Sequence, residues 1–182
     1  WTGPDDQTVA FMWAWDADAL YLGISVTDDY HNAPADGWNG DAAQLALEPT
    51  GKRPKGGAAN LVLYNVALGA EGKLIVENQV PSGKGLGTGD VAIVRDGNKT
   101  NYEIRFSASQ HGDMVQGRSA GASICVNDGD KGTEGQSGWG GWYPHSIVFG
   151  NQSEKTGLLV LSGGKPTSVE SKGKLSTTWG DL

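Results

Sequence analysis

Between residues 20 and 26 the chain reads LYLGISV, with Leu20, Leu22, Ile24 and Val26 on one side and Tyr21, Gly23 and Ser25 on the other. A strict period of two belongs to a strand buried on one face, because successive side chains point to opposite sides of a sheet. The same period puts Val9, Phe11, Trp13 and Trp15 together in VAFMWAW, and Ala43, Leu45 and Leu47 together in AAQLALE. Further strands are read from NLVLYNVAL, KLIVENQV, VAIVRD, NYEIRFSA, GASICVND, HSIVFG and GLLVL. Turn residues separate these runs, and the 29 glycines in 182 residues suit short strands joined by tight turns. No stretch has the length and apolar periodicity of a helix, and ASQHGDMVQGRS (108–119) reads as loop with room for one helical turn. The predicted fold is all-β: an antiparallel β-sandwich, jelly-roll-like, of about ten strands. It covers residues 1–161, and the polar segment 162–182 reads as a linker-like tail in which Trp179 is the residue suited to packing.

Charge and composition narrow the functions. A net charge of −7 disfavours a nucleic-acid partner, whose affinity rests on Lys and Arg neutralising phosphates. No apolar run approaches the roughly 20 residues that span a bilayer, so no membrane partner is expected. The single Cys125 sits in an apolar strand run and reads as a buried, inert thiol. The opening WTGPDD is already turn-like and the end is linker-like, as expected of a module that works beside other domains of a longer parent chain.

No catalytic set stands out. There is no G-x-S-x-G elbow, and His31, His111 and His145 lack metal-ligand spacing. GKGLGTG lacks the strand and helix of a phosphate loop. Asp41, Glu48 and Glu103 are carboxylates of the kind a glycosidase pairs, yet nothing distinguishes an acid from a nucleophile among them. Binding rather than catalysis is the expectation. Two loops are rich in hard oxygen donors: TDDYHN offers Asp28, Asp29 and Asn32, and NDGDKGTE offers Asn127, Asp128, Asp130 and Glu134. Such donors suit a structural calcium ion, although Asp and Asn also cap turns through their own backbone.

Seven Trp against three Phe is the most directed signal. Trp38 stands in GWNGD beside Asn39 and Asp41, and Trp139, Trp142 and Tyr143 stand in what reads as a glycine-rich loop before a strand. Flat indole faces stack on the C–H faces of sugar rings while neighbouring amides and carboxylates bond the hydroxyls. The alternative is that these indoles plug the ends of the sandwich.

Three blocks, LYLGISVTDD, WNGDAAQLALEP and GASICVNDGD followed by GWYPHSIVFGN, resemble in order and spacing the family-9 carbohydrate-binding modules of xylanases and other secreted polysaccharide-degrading proteins. That resemblance, from about residue 9 to 161, implies a β-sandwich, structural calcium, an extracellular setting, and two tryptophans clamping a polysaccharide or oligosaccharide. Trp38 and Trp142 fall at the clamp positions. Gln44 falls where the family has an acid, and no basic residue between Lys55 and Lys73 answers the family's arginine. Asn60, Asn65, Asn78 and Gln79 are the amides nearby that can supply hydrogen bonds instead. Three other readings stand beside this one: a structural or protein-interaction sandwich that has lost the sugar site, a glycoside-active enzyme, and a haem-binding sandwich using Met12, Met114, His111 or His145.

Overall fold

The structure, a computed structural model, describes residues 3–81 and 85–163. Most of the tail, with Trp179, lies outside the described residues. Ten strands form: β1 (Gln7–Trp15), β2 (Ala19–Asp28), β3 (Ala42–Glu48), β4 (Val62–Leu68), β5 (Leu74–Val80), β6 (Val91–Asp96), β7 (Lys99–Ser107), β8 (Ser119–Asp128), β9 (Gly138–Trp142) and β10 (Gly157–Val160). All pairings are antiparallel. One sheet runs β1-β2-β7-β6; the other runs β10-β8-β3-β4-β5, with β9 also paired to β8.

The alternation read from the sequence sets which faces meet. Leu20, Leu22, Ile24 and Val26 from β2 and Tyr102, Ile104 and Phe106 from β7 point inward from the first sheet. Ala43, Leu45 and Leu47 from β3, Tyr64 and Val66 from β4, and Ala122, Ile124 and Val126 from β8 answer them from the second. Each fully buried Leu or Ile contributes about 1.5–3 kcal/mol of transfer free energy. β3 is buried at every position, because its outer face is covered too. There Ala46, Leu61, Leu63, Cys125 and Ile147 make a second apolar cluster. Cys125 is sealed in that layer, and burial pushes its thiol up to about 12.

Two local readings are corrected. HSIVFG is not a strand: His145–Val148 form a single helical turn, α2, after one helical turn at Ala108–His111, α1. The apolar residues of α2 cap the outer cluster, so a short apolar run there needed no sheet partner. Conversely GWGGW, read as loop, is β9, with Trp142 opposite Ile124 and Trp139 opposite Asn127.

His111 sits buried at the end of α1. Its Nδ1 faces the Ser107 carbonyl at 3.0 Å and its Nε2 faces the Tyr64 hydroxyl at 2.7 Å. The neutral ring satisfies both, donating from Nδ1 and accepting at Nε2. With both nitrogens engaged, His111 is not available as a haem ligand. Burial holds its pKa below the ordinary value of 6.5, outweighing the Ser107 hydrogen bond. The unfolded chain therefore binds this proton first as pH falls, and the contribution of His111 to stability is lost progressively below about pH 6.5. Denaturant midpoints between pH 7 and pH 5 should fall more steeply for the wild type than for a His111→Gln variant. Equal slopes would contradict this role.

Candidate functional site: a tryptophan-lined cleft

The outer face of the second sheet carries a row of polar side chains where a sheet face usually meets solvent or a helix. Gln44 on β3 lies opposite Asn65 on β4, which lies opposite Glu77 on β5. Asn65 is fully buried and is the hub of this row. Its Oδ1 accepts from Gln44 Nε2 at 3.1 Å, and its Nδ2 donates to Glu77 Oε2 at 2.6 Å and to Gln79 Oε1 at 3.3 Å. A buried amide with all these partners is locked in one orientation, and it locks its neighbours in turn.

Beside this row opens a cleft of about 430 Å³ lined by Trp38, Gln44, Leu63, Gln79, Gln136, Trp139, Ile147, Val148, Gly150 and Asn151. Trp38 and Trp139 are 43% and 39% exposed, unusual for side chains of this size and enough to offer indole surface to a ligand. The loop before β3 holds Trp38 by its backbone: Asn127 Nδ2 donates to the Trp38 carbonyl at 2.7 Å. Gly37 takes φ 46° there, and a Cβ on it would stand 2.7 Å from Glu77 Oε2, so glycine is favoured. Asn39 Oδ1 accepts from the Gln136 backbone at 3.0 Å, and Gln136 Nε2 donates to Asn127 Oδ1 at 3.0 Å, tying the two loops together. Trp139 is braced edge-on by His145 at 5.5 Å and by Phe149 at 6.2 Å.

The clamp pair expected from the sequence is Trp38 with Trp142. Trp38 shares the cleft with Trp139, not with Trp142. On a strand, residues three apart face opposite sides, so β9 can present only one of these two indoles to the cleft. Trp142, opposite inward-facing Ile124, packs against the core beside Phe11 at 5.9 Å and Tyr143 at 5.1 Å. Tyr143 is half exposed but does not line the cleft. Asn39 acts as a loop pin. Asp41, expected near the ligand, is buried: its Oδ2 accepts from the Asn32 backbone at 2.7 Å and its Oδ1 from the Gly129 backbone at 2.8 Å. Of the amides suggested by type, Gln79 lines the cleft and Asn65 stands behind it. Asn78 turns instead to the Leu86 carbonyl at 2.8 Å.

The carboxylates considered for catalysis do not converge. Asp41 and Glu48 flank opposite ends of β3, and Glu103 lies on β7 in the other sheet. Glu48 is fully buried and accepts from the Thr50 and Arg53 backbone at 3.1 and 3.0 Å, closing the turn after β3.

Two acid-rich clusters differ in their fitness for calcium. Asp28, His31 and Asp41 gather in one. Burial, and then the Asp41 charge, push Asp28 up to about 7. Yet its Oδ1 accepts from Tyr30 N at 2.9 Å, its Oδ2 lies 3.6 Å from Arg95 Nη1, and His31 Nδ1 sits 3.1 Å from Asp41. These carboxylates already have protein hydrogen-bond partners, and an imidazole is a poorer calcium ligand than an oxygen donor. Asp29, expected with Asp28, is exposed and outside the cluster, one step along a strand end that alternates.

Asp6, Asp128 and Asp130 form the second cluster. Burial first, then the charges of Asp6 and Asp130, push Asp128 up to about 6. Three carboxylates whose oxygens lie within 4.8 Å of one another offer the hard donors that a divalent cation takes. Asn127, expected as a ligand, faces the other side of β8 from Asp128 and holds Trp38. Asp6 was missed, because it lies in an ordinary turn before β1.

Comparison with known proteins follows the same lines. The family description "Carbohydrate family 9 binding domain-like" matches residues 1–163. A family 9 carbohydrate-binding module from Caldicellulosiruptor kristjanssonii, solved with glucose, superposes with a TM-score of 0.72 at 15% identity, covering 93% of this chain and 84% of that one. A module of that family from the same organism, solved with cellotriose, gives 0.73 at 16% identity, covering 93% and 82%. No curated protein matches. With a match over nearly all the described residues, the chain belongs to the carbohydrate family 9 binding domain-like family.

Proposed function

We propose that this domain is a non-catalytic carbohydrate-binding module that takes a sugar unit between Trp38 and Trp139. The observation that carries the reading is the cleft itself: two exposed indoles face one space whose polar lining is made of amides. Indole faces supply apolar area to the C–H side of a pyranose; Gln44 and Asn151 can donate and accept at its hydroxyls, Gln79 can donate, and Gln136, whose N–H groups go to Asn127 and Gly138, can accept. The binding of glucose and cellotriose by structurally similar modules supports the ligand class. The family's association with polysaccharide-degrading proteins supports a secreted parent chain in which other domains act on the polymer. Calorimetric titration with gluco-, xylo- and manno-oligosaccharides tests the function. Heat of binding with at least one is expected; no heat with any would favour a sandwich that has lost its sugar site.

Calcium belongs to the same proposal, held by Asp6, Asp128 and Asp130 as a structural ion that relieves their mutual repulsion. A ligand bound only by the folded state stabilises it by about 2.7 kcal/mol at a hundredfold excess over Kd. For a domain of this size that corresponds to about 5–10 °C in Tm. Chelator should lower Tm by that order in the wild type and leave Asp128→Asn nearly unmoved. A wild-type Tm indifferent to chelator would remove the ion from the account.

A further inference from the structure

We propose that Glu77 is the specificity-determining residue of the cleft, a fixed carboxylate that turns away acidic glycans in favour of neutral ones. This rests on the carbohydrate-binding reading and goes beyond it by assigning a role to one side chain. None of the ten residues lining the cleft is charged. Glu77 stands behind them: Asn65, which also bonds Gln44 and Gln79 of the cleft, holds it at 2.6 Å, and the Gly37 backbone leading into Trp38 passes close beside it. Although Glu77 is exposed, its position is not that of a free surface acid, because Asn65 is fully buried and orients it from below.

The same hub sets what the amides show. Gln44 spends one N–H on Asn65, which leaves its Oε1 and second N–H for the cleft. Gln79 accepts from Asn65 through Oε1, which leaves its two N–H groups as donors. Hydroxyls meet both kinds of partner here. A sugar carboxylate would instead meet amide donors in the presence of a like charge, with no lysine or arginine among the cleft residues to offset it. A like charge beside a partly solvated site weakens binding by about tenfold, and added salt erodes the effect.

The test uses matched pairs: neutral trisaccharides of glucose, mannose and galactose, each beside the same sugar oxidised at C6 to carboxylates. Affinities are measured at low and high salt for the wild type and for Glu77→Gln, which keeps an oxygen acceptor for Asn65. In the wild type the neutral form of the sugar that binds should be favoured about tenfold at low salt and less at high salt. In Glu77→Gln the ratio of the two affinities should move toward one. A wild-type protein that binds the oxidised form as tightly as the neutral one, or a ratio unchanged in Glu77→Gln, overturns the role of Glu77 while leaving carbohydrate binding intact. Failure of every neutral sugar to bind the wild type overturns both.

Discussion

Trp139→Ala should abolish most glycan binding while leaving the domain folded, and Trp142→Ala should do the reverse. The two indoles sit three residues apart on β9 and so face opposite sides of the sheet. Trp139 is exposed to the cleft, and its truncation removes one stacking wall without opening the core. An aromatic anchor at the centre of a binding site is worth on the order of 2 kcal/mol or more, so affinity should fall about thirtyfold or further. The Tm should change little. Trp142 packs against the core and against Phe11, and its truncation leaves a void where β9 meets β8. Because it is only half-buried, about 2–3 kcal/mol of stability should go, below the usual cost of a core Trp→Ala change. Binding by the protein that remains folded should persist. Titration and thermal melts on the two variants check both halves, and a Trp142→Ala protein that is stable but cannot bind would reverse the assignment.

Gly141→Ala should cost both stability and binding, and by more than a surface glycine would. Gly141 adopts φ 135°, outside the range of L side chains, and a Cβ there would run into the Ile124 carbonyl oxygen of the neighbouring strand. That oxygen belongs to the strand with which β9 pairs, so neither can give way without parting β9 from β8. Strain and lost pairing together should cost about 3 kcal/mol or more. Because β9 carries Trp139, the clamp is displaced at the same time. Gly89, which has open space around it, is the control: an alanine there should change neither readout. A Gly141→Ala domain with wild-type Tm and affinity would show that β9 does not set the position of Trp139.

Why the strands were legible and the site only half so follows from the physics of each. β2, β3 and β8 bury one face each against the other sheet, and that demand writes the period of two directly into Leu20–Val26, Ala43–Leu47 and Ala122–Val126. β9 carries glycine at three of its five positions, so almost no side chains are left to show a period, and it reads as loop. Treating it as loop let Trp139 and Trp142 point the same way; treating it as a strand forbids it. Trp38 was identifiable because a large aromatic among glycines before a strand has few structural uses. The polar hub was not, since Gln44, Asn65 and Glu77 come from three strands and meet only through register. Asp6 joins Asp128 and Asp130 by the same long-range closure.

The central claim, that a sugar sits between Trp38 and Trp139, is most directly tested by following the indole N–H signals of the ¹⁵N-labelled protein as gluco-, xylo- and manno-oligosaccharides are added. Trp38 and Trp139 should shift together and saturate with the sugar that binds, while Trp13, Trp15 and Trp142, packed against the core, stay in place. Movement of Trp142 with Trp139 silent, or no indole movement with any sugar, would contradict it.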